Sequence, residues 1–179
     1  AILILAGPLS FRMTCYYYRK FYYRAYFLTP PACAVKGIPQ KKYKGETLLL
    51  VFQNLHRYTL YIALGFVAIL SYDGILSLFR DGEIGIGVGS VVLLINPILL
   101  AGYTFGCHAF RHLVGGKMDC FSCPDGQEKT RYKLWRGVSW LNGRHMFWAW
   151  ISMIWVGFTD FYVRMVSSGQ WTDYSTWGF

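Results

Sequence analysis

The chain has 179 residues, the size of one ordinary domain, but its composition does not suit a soluble one. Hydrophobic residues make up 54% and charged residues 15%, where a soluble domain carries about 25% charged residues. The 18 Lys and Arg against 9 Asp and Glu give a net charge of +9, which excludes an acidic disordered protein and argues against a cytosolic enzyme. That leaves an integral membrane protein ahead of a lipid-bound or a nucleic-acid-bound one, and no nucleic-acid-binding motif is present.

The first element is an apolar run over 1–11, which reads as the second half of a membrane span whose start precedes Ala1. It is not a signal peptide, because Arg12 follows the run where a signal peptide places its basic residues before it. The helix is expected to continue to about residue 28. A second helix is expected over 47–79, with Arg57 the one charge between residues 47 and 72. A third covers 84–113, whose first 27 positions carry no charge. A fourth covers 142–167, with Asp160 the one charge between residues 145 and 163. A membrane-spanning helix needs about 20 mostly apolar residues, and uncharged runs this long are hard to place in a soluble core. The fold class expected is therefore all-α, a polytopic transmembrane helix bundle in a single domain over 1–179, with loops at 29–46 and 114–141.

Arg12, Arg19, Lys20, Arg24, Lys36, Lys41, Lys42 and Lys44 lie between the first two spans. Arg111, Lys117, Lys129, Arg131, Lys133, Arg136 and Arg144 lie between the last two. Short loops rich in Lys and Arg stay on the cytoplasmic side. Both basic stretches are thus expected to face the cytoplasm, and residues 73–83 and the tail after Arg164 to face outward. Fifteen positive residues on one side is more than orientation needs, so anionic lipid or a soluble partner is expected there.

That side also collects the chemistry. His108 and His112, four apart on one helix, project from the same face and could both reach one metal. Ionisable groups in a membrane helix are costly and tend to mark function. Gly115-Gly116 permits a reversal, and Cys120-Phe-Ser-Cys123 follows, a spacing that lets two thiolates grip one metal. Two His and two Cys allow a structural zinc site or a Rieske-type 2Fe–2S cluster, with its irons ligated by two Cys and two His respectively. Cys107 points about 100° away from His108 on a helix and reads as a packing residue. Cys15 and Cys33, in the other basic stretch, form a second candidate thiolate pair. His56 and His145 sit near the cytoplasmic ends of their helices, beside Arg57 and Arg144. They permit bis-His haem ligation, or anchoring of a quinone headgroup together with Tyr58 and Trp140, since quinone reduction needs hydrogen-bond donors and protons.

The segments FRMTCYYYRKFYYRAYF, LTPPACAV, QNLHRYTLY, YTFGCHAFRHLVGG, LNGRHMFWAW and TDFYVRMVSSG resemble the membrane-anchor subunit of bacterial succinate dehydrogenase (succinate:quinone oxidoreductase, respiratory complex II). The likeness is to the actinobacterial type and spans nearly the whole chain. It implies about five transmembrane helices, the first missing or truncated here, in the bacterial inner membrane. It implies two soluble partners, a flavoprotein whose covalent FAD oxidises succinate and an iron–sulfur subunit. This chain would not itself oxidise succinate but would dock the partners on its basic face and supply the quinone-reactive part of a respiratory, tricarboxylic-acid-cycle enzyme. The resemblance further implies a Rieske-type 2Fe–2S cluster in place of haem, with His108 and His112 as its imidazole side and menaquinone as the quinone. Spacing points to Cys120 and Cys123 for the thiolate side, and the family-like segments equally point to Cys15 and Cys33. Two other readings stand beside this one. One is a haem b anchor ligated by His56, His145 and one or both of His108 and His112. The other is a membrane scaffold with a structural zinc site and no electron transfer.

Overall fold

The computed structural model describes residues 2–27, 48–80, 82–116, 118 and 126–177. The fold is all-α, as the composition implies. Among the described residues three helices are long and apolar enough to cross a membrane: α3 (Leu49–Leu76), α4 (Val88–Phe105) and α7 (His145–Ser167). The described residues group into two compact units, 1–63 and 64–179, with α3 running from one into the other.

In the first unit the helix expected over 1–28 is two helices, α1 (Ile2–Thr14) and α2 (Tyr16–Phe27). They part at Cys15, where the Cys15 N–H turns back to the Arg12 carbonyl at 3.2 Å. Thr14 helps end α1, because its hydroxyl bonds the Ser10 carbonyl at 2.7 Å, a local bond that competes with the helix ladder. The Arg19 guanidinium lies 4.8 Å from the Phe52 ring centre, so α2 rests on the first turns of α3 through a cation–π contact. Tyr18 accepts a hydrogen bond from Arg12. Its burial nevertheless outweighs that charge and pushes the phenol up to about 12, so it stays neutral at physiological pH.

In the second unit, α3 turns into a two-stranded hairpin, β1 (Phe79–Arg80) and β2 (Glu83–Ile84), pairing Phe79 with Ile84 and Arg80 with Glu83. Gly82 supplies the positive φ of +85° that the tight turn needs. The helix expected to start at 84 therefore starts at Val88. It also ends early: α4 stops at Phe105 and α5 (His108–Gly115) begins after a two-residue break. At that break Cys107 is extended (φ −66°, ψ 143°) and its Sγ accepts the Ala109 N–H. The Asn142 amide takes the Gly106 carbonyl at 2.8 Å, so the freed backbone groups find partners. The stretch expected as a loop over 114–141 holds most of α6 (Gly126–Gly143), which runs past the expected loop end, so the helix expected to start at 142 starts at His145. Arg111 reaches it from α5, stacking on Trp135 at 4.8 Å and bonding Ser139 at 3.1 Å.

The α4–α7 contact has the inside-out pattern of a membrane protein. The buried positions of α7 are Ala149, Ser152, Thr159 and Tyr162, while Ile154, Phe158 and Phe161 are exposed. Small and polar residues let membrane helices approach closely, and the large apolar ones face lipid. On α4, Gly102 lies against Trp148, and the Trp155 indole donates to the Val92 carbonyl at 3.2 Å.

Beyond α7, Gly169 (φ +73°) turns the chain. Its N–H bonds the Val166 carbonyl and that of Gln170 bonds the Met165 carbonyl, each at 3.0 Å, a Schellman ending. The tail then returns to the start of α4. Gly87, the N-cap of α4, makes no side-chain cap bond. Asp173 supplies one instead, accepting the Gly89 N–H at 2.8 Å and the Tyr162 hydroxyl at 2.8 Å. A carboxylate here satisfies an orphan N–H and complements the helix dipole. Asp173→Ala should cost about 1–3 kcal/mol by stranding both donors. It should lower the thermal midpoint in detergent and open the tail to limited proteolysis. An unchanged midpoint and cleavage pattern would refute this capping role.

Candidate functional site

The break at Gly106–Cys107 decides where the histidine pair sits. Because α5 starts afresh at His108, both His108 and His112 lie on an eight-residue helix, held to α6 by Arg111 and by the Arg131 guanidinium on the Val114 carbonyl at 3.2 Å. Gly115 packs against the Trp135 indole, which leaves no room for a side chain there. The two imidazoles meet with Nε2 to Nε2 at 3.1 Å, on the exposed side of α5. Their rings are nearly perpendicular, at 87°, with centroids 4.5 Å apart.

This separation tests whether the pair fits a metal centre. With metal–nitrogen bonds of about 2.1 Å, nitrogens this far apart subtend roughly a right angle at one ion. The pair therefore fits the bis-imidazole half of a 2Fe–2S centre or of a zinc site. It does not fit two axial positions of one haem, which lie on opposite sides of the ring plane. Of the candidate thiolates, Cys120, Cys123 and Cys33 lie outside the described residues. Cys15 is buried at the α1–α2 break of the first unit. Among the described residues no group of three or more His, Cys, Asp or Glu is gathered around one point. Cys107, expected as a packing residue, is 2% exposed and caps α5 through its sulfur.

The quinone-site candidates fall into two sets. In the first unit His56 is buried, while Arg57 and Tyr58 are exposed. Of these three neighbours, only His56 faces the packed side of α3. Phe11 stacks on it at 4.5 Å and 8°, and its Nδ1 lies 3.0 Å from the Thr14 hydroxyl. In the second unit Arg144 sits 4.2 Å over the Trp140 ring, so these two share an exposed face. His145 begins α7 and stacks on buried Tyr103 at 5.0 Å. Thr14, Phe11 and Tyr103 were not singled out from the sequence. The available signal was weak: a hydroxyl where the apolar run meets the basic stretch, and a tyrosine inside a charge-free helix.

A search of curated proteins finds no match. The family model for the actinobacterial succinate dehydrogenase subunit SdhC matches residues 1–169. Among solved structures, the chain is similar to one from the Mycobacterium smegmatis Sdh1 complex in the apo form, with 44% identity and a TM-score of 0.82. The likeness covers 94% of this chain and 62% of that one, so the sequence spans under two thirds of its relative's length. With a family match over nearly its whole length and three helices fit to cross a membrane, the chain belongs to the actinobacterial succinate dehydrogenase SdhC family.

Proposed function

We propose that the chain is the quinone-reactive membrane anchor of a succinate:quinone oxidoreductase, that it carries a Rieske-type 2Fe–2S cluster, and that it docks a flavoprotein and an iron–sulfur subunit. The observation that carries the cluster assignment is the pair of imidazole nitrogens 3.1 Å apart on α5. His108 and His112 would supply the imidazole ligands. The thiolate ligands would come from Cys120 and Cys123, or from Cys15 and Cys33. When bound, such a cluster accepts and passes on one electron at a time, at a potential raised by its histidines.

The chain's own residues have simpler tasks. Arg111, through Trp135 and Ser139, holds α5 in place. The basic residues of 12–44 and 111–144 offer cytoplasmic charge to the soluble subunits. His56 in the first unit and His145 in the second, each packed against an aromatic ring, are two separate hydrogen-bonding candidates for a quinone, the first with Arg57 and Tyr58 beside it in sequence and the second with Trp140 and Arg144. Menaquinone is the quinone expected.

The test is spectroscopic. The purified complex should show a Rieske-type low-temperature EPR signal that is absent from the two soluble subunits alone. A sharp cytochrome b α-band on dithionite reduction, without that signal, would replace the cluster by haem b. Zinc and no iron in this chain would replace it by a structural metal.

A further inference from the structure

The hairpin between α3 and α4 has two faces of opposite character. Side chains alternate along a strand, and directly opposed residues share a face. Phe79 stands opposite Ile84, and Arg80 opposite Glu83, so the apolar pair lies on one face and the charged pair on the other. The Gly85 N–H extends the ladder to the Leu78 carbonyl at 3.0 Å. Ile86 then returns to the face of Ile84. The tail runs alongside, with the Thr176 N–H on the Ile86 carbonyl and the Val88 N–H on the Tyr174 carbonyl, each at 3.0 Å.

On the charged face, the Trp177 indole packs directly against Gly85. The apolar face is bare: Phe79 is 51% exposed, Ile84 75% and Ile86 56%. Three large apolar side chains gathered on one side of a short hairpin are a contact surface rather than scatter. That surface runs on into the spans, since Ile75 and Leu76 of α3 and Val88 and Val91 of α4 are exposed as well. Trp171 and Tyr174 of the tail, also exposed, are the ring types that collect where membrane meets water. β1 has only two residues, too short an edge to template a strand from a partner.

We propose that this hairpin is an interfacial membrane anchor, whose Phe79–Ile84–Ile86 face enters the phospholipid leaflet while Arg80 and Glu83 stay in water. The leaflet is the one at the ends of α3 and α4 opposite those that adjoin the basic stretches. Lipid is the occupant because the face carries no charge and prolongs the lipid-facing sides of two helices fit to cross a membrane. The backbone sets the depth. A hairpin edge keeps polar groups that hydrocarbon does not satisfy, so the backbone lies among headgroups and only the side chains reach the acyl chains.

The test is photo-crosslinking of the whole complex in vesicles of phosphatidylethanolamine and phosphatidylglycerol. A benzophenone amino acid is placed at Ile84, at Ile86 or at Glu83, all exposed positions, and succinate oxidation with an artificial acceptor checks assembly. Illumination should give phospholipid adducts at Ile84 and Ile86 and none at Glu83. Protein adducts at Ile84 and Ile86, from a second copy or another subunit, overturn the proposal. No adduct at either position, or equal lipid adducts at all three, also overturns it. The unmodified complex supplies a second measurement, which stands even if a labelled chain fails to assemble. Hydroxyl-radical footprinting in the same vesicles should leave Phe79 unoxidised, and strong oxidation there overturns the proposal.

Discussion

Replacing His108 and His112 together by alanine is expected to reduce quinone reduction to background while succinate oxidation with an artificial acceptor persists. The Nε2 atoms of the pair are 3.1 Å apart, so they would act on one ion, and the double variant removes one whole side of the proposed centre. The change should be local. Both rings lie on the exposed side of α5, and α5 is held to α6 by Arg111, Arg131 and the Gly115–Trp135 contact. Assembly with the soluble subunits should therefore survive, which the artificial-acceptor assay reads directly. Loss of both activities would show that the pair only supports assembly. Retention of both would remove it from the electron path. The Rieske-type EPR signal should vanish in the same variant.

Gly102→Val is expected to be among the most damaging apolar substitutions in the membrane spans. A Cβ at Gly102 would lie 2.5 Å and 2.7 Å from Cε3 and Cδ2 of Trp148, well inside van der Waals contact. The indole is rigid, and the neighbouring Phe147 ring meets it edge-on at 5.3 Å. α4 and α7 would have to separate, straining the Trp155 bond to the Val92 carbonyl farther along the same interface. Overpacking of this kind costs about 1–3 kcal/mol or more, and in a chain of this size each kcal/mol lowers the thermal midpoint by roughly 2–4 °C. Gly157→Ala is the control. Nothing lies within 4 Å of a Cβ there, so it should be neutral or stabilising, as alanine is the better helix former. Equal midpoints for the two variants would refute the tight α4–α7 approach.

The membrane spans were legible because lipid imposes a composition that no short-range detail can override. Residues 84–110 lack any charge, and a helix that can span the membrane forms inside that stretch. Its ends were not legible in the same way. The start at Val88 depends on a hairpin and on Asp173, 84 residues away from Gly89. The stop at Phe105 depends on Asn142, 36 residues away from Gly106. α6 was hidden for a different reason. Its Lys and Arg dominate a charge count, while Trp135 and Ser139, four apart, are what meets Arg111 of α5. The histidine pair was readable from its spacing of four, since that spacing alone sets the common face. The Thr14–His56 bond was not, because it joins residues 42 apart.

The Asp173 contact has a consequence for the order in which the chain is completed. α4 is synthesised well before residue 173, and its first turn emerges with Gly89 lacking the carboxylate that will cap it. That partner arrives only after α7 has crossed the bilayer and the Gly169 turn has sent the tail back. The N-terminal end of α4 is therefore finished last. Insertion of α7 becomes the event that locks α4, and a ribosome stalled between them would leave α4 frayed at its first turn. The tail thus works as a latch that records whether the span before it has been delivered.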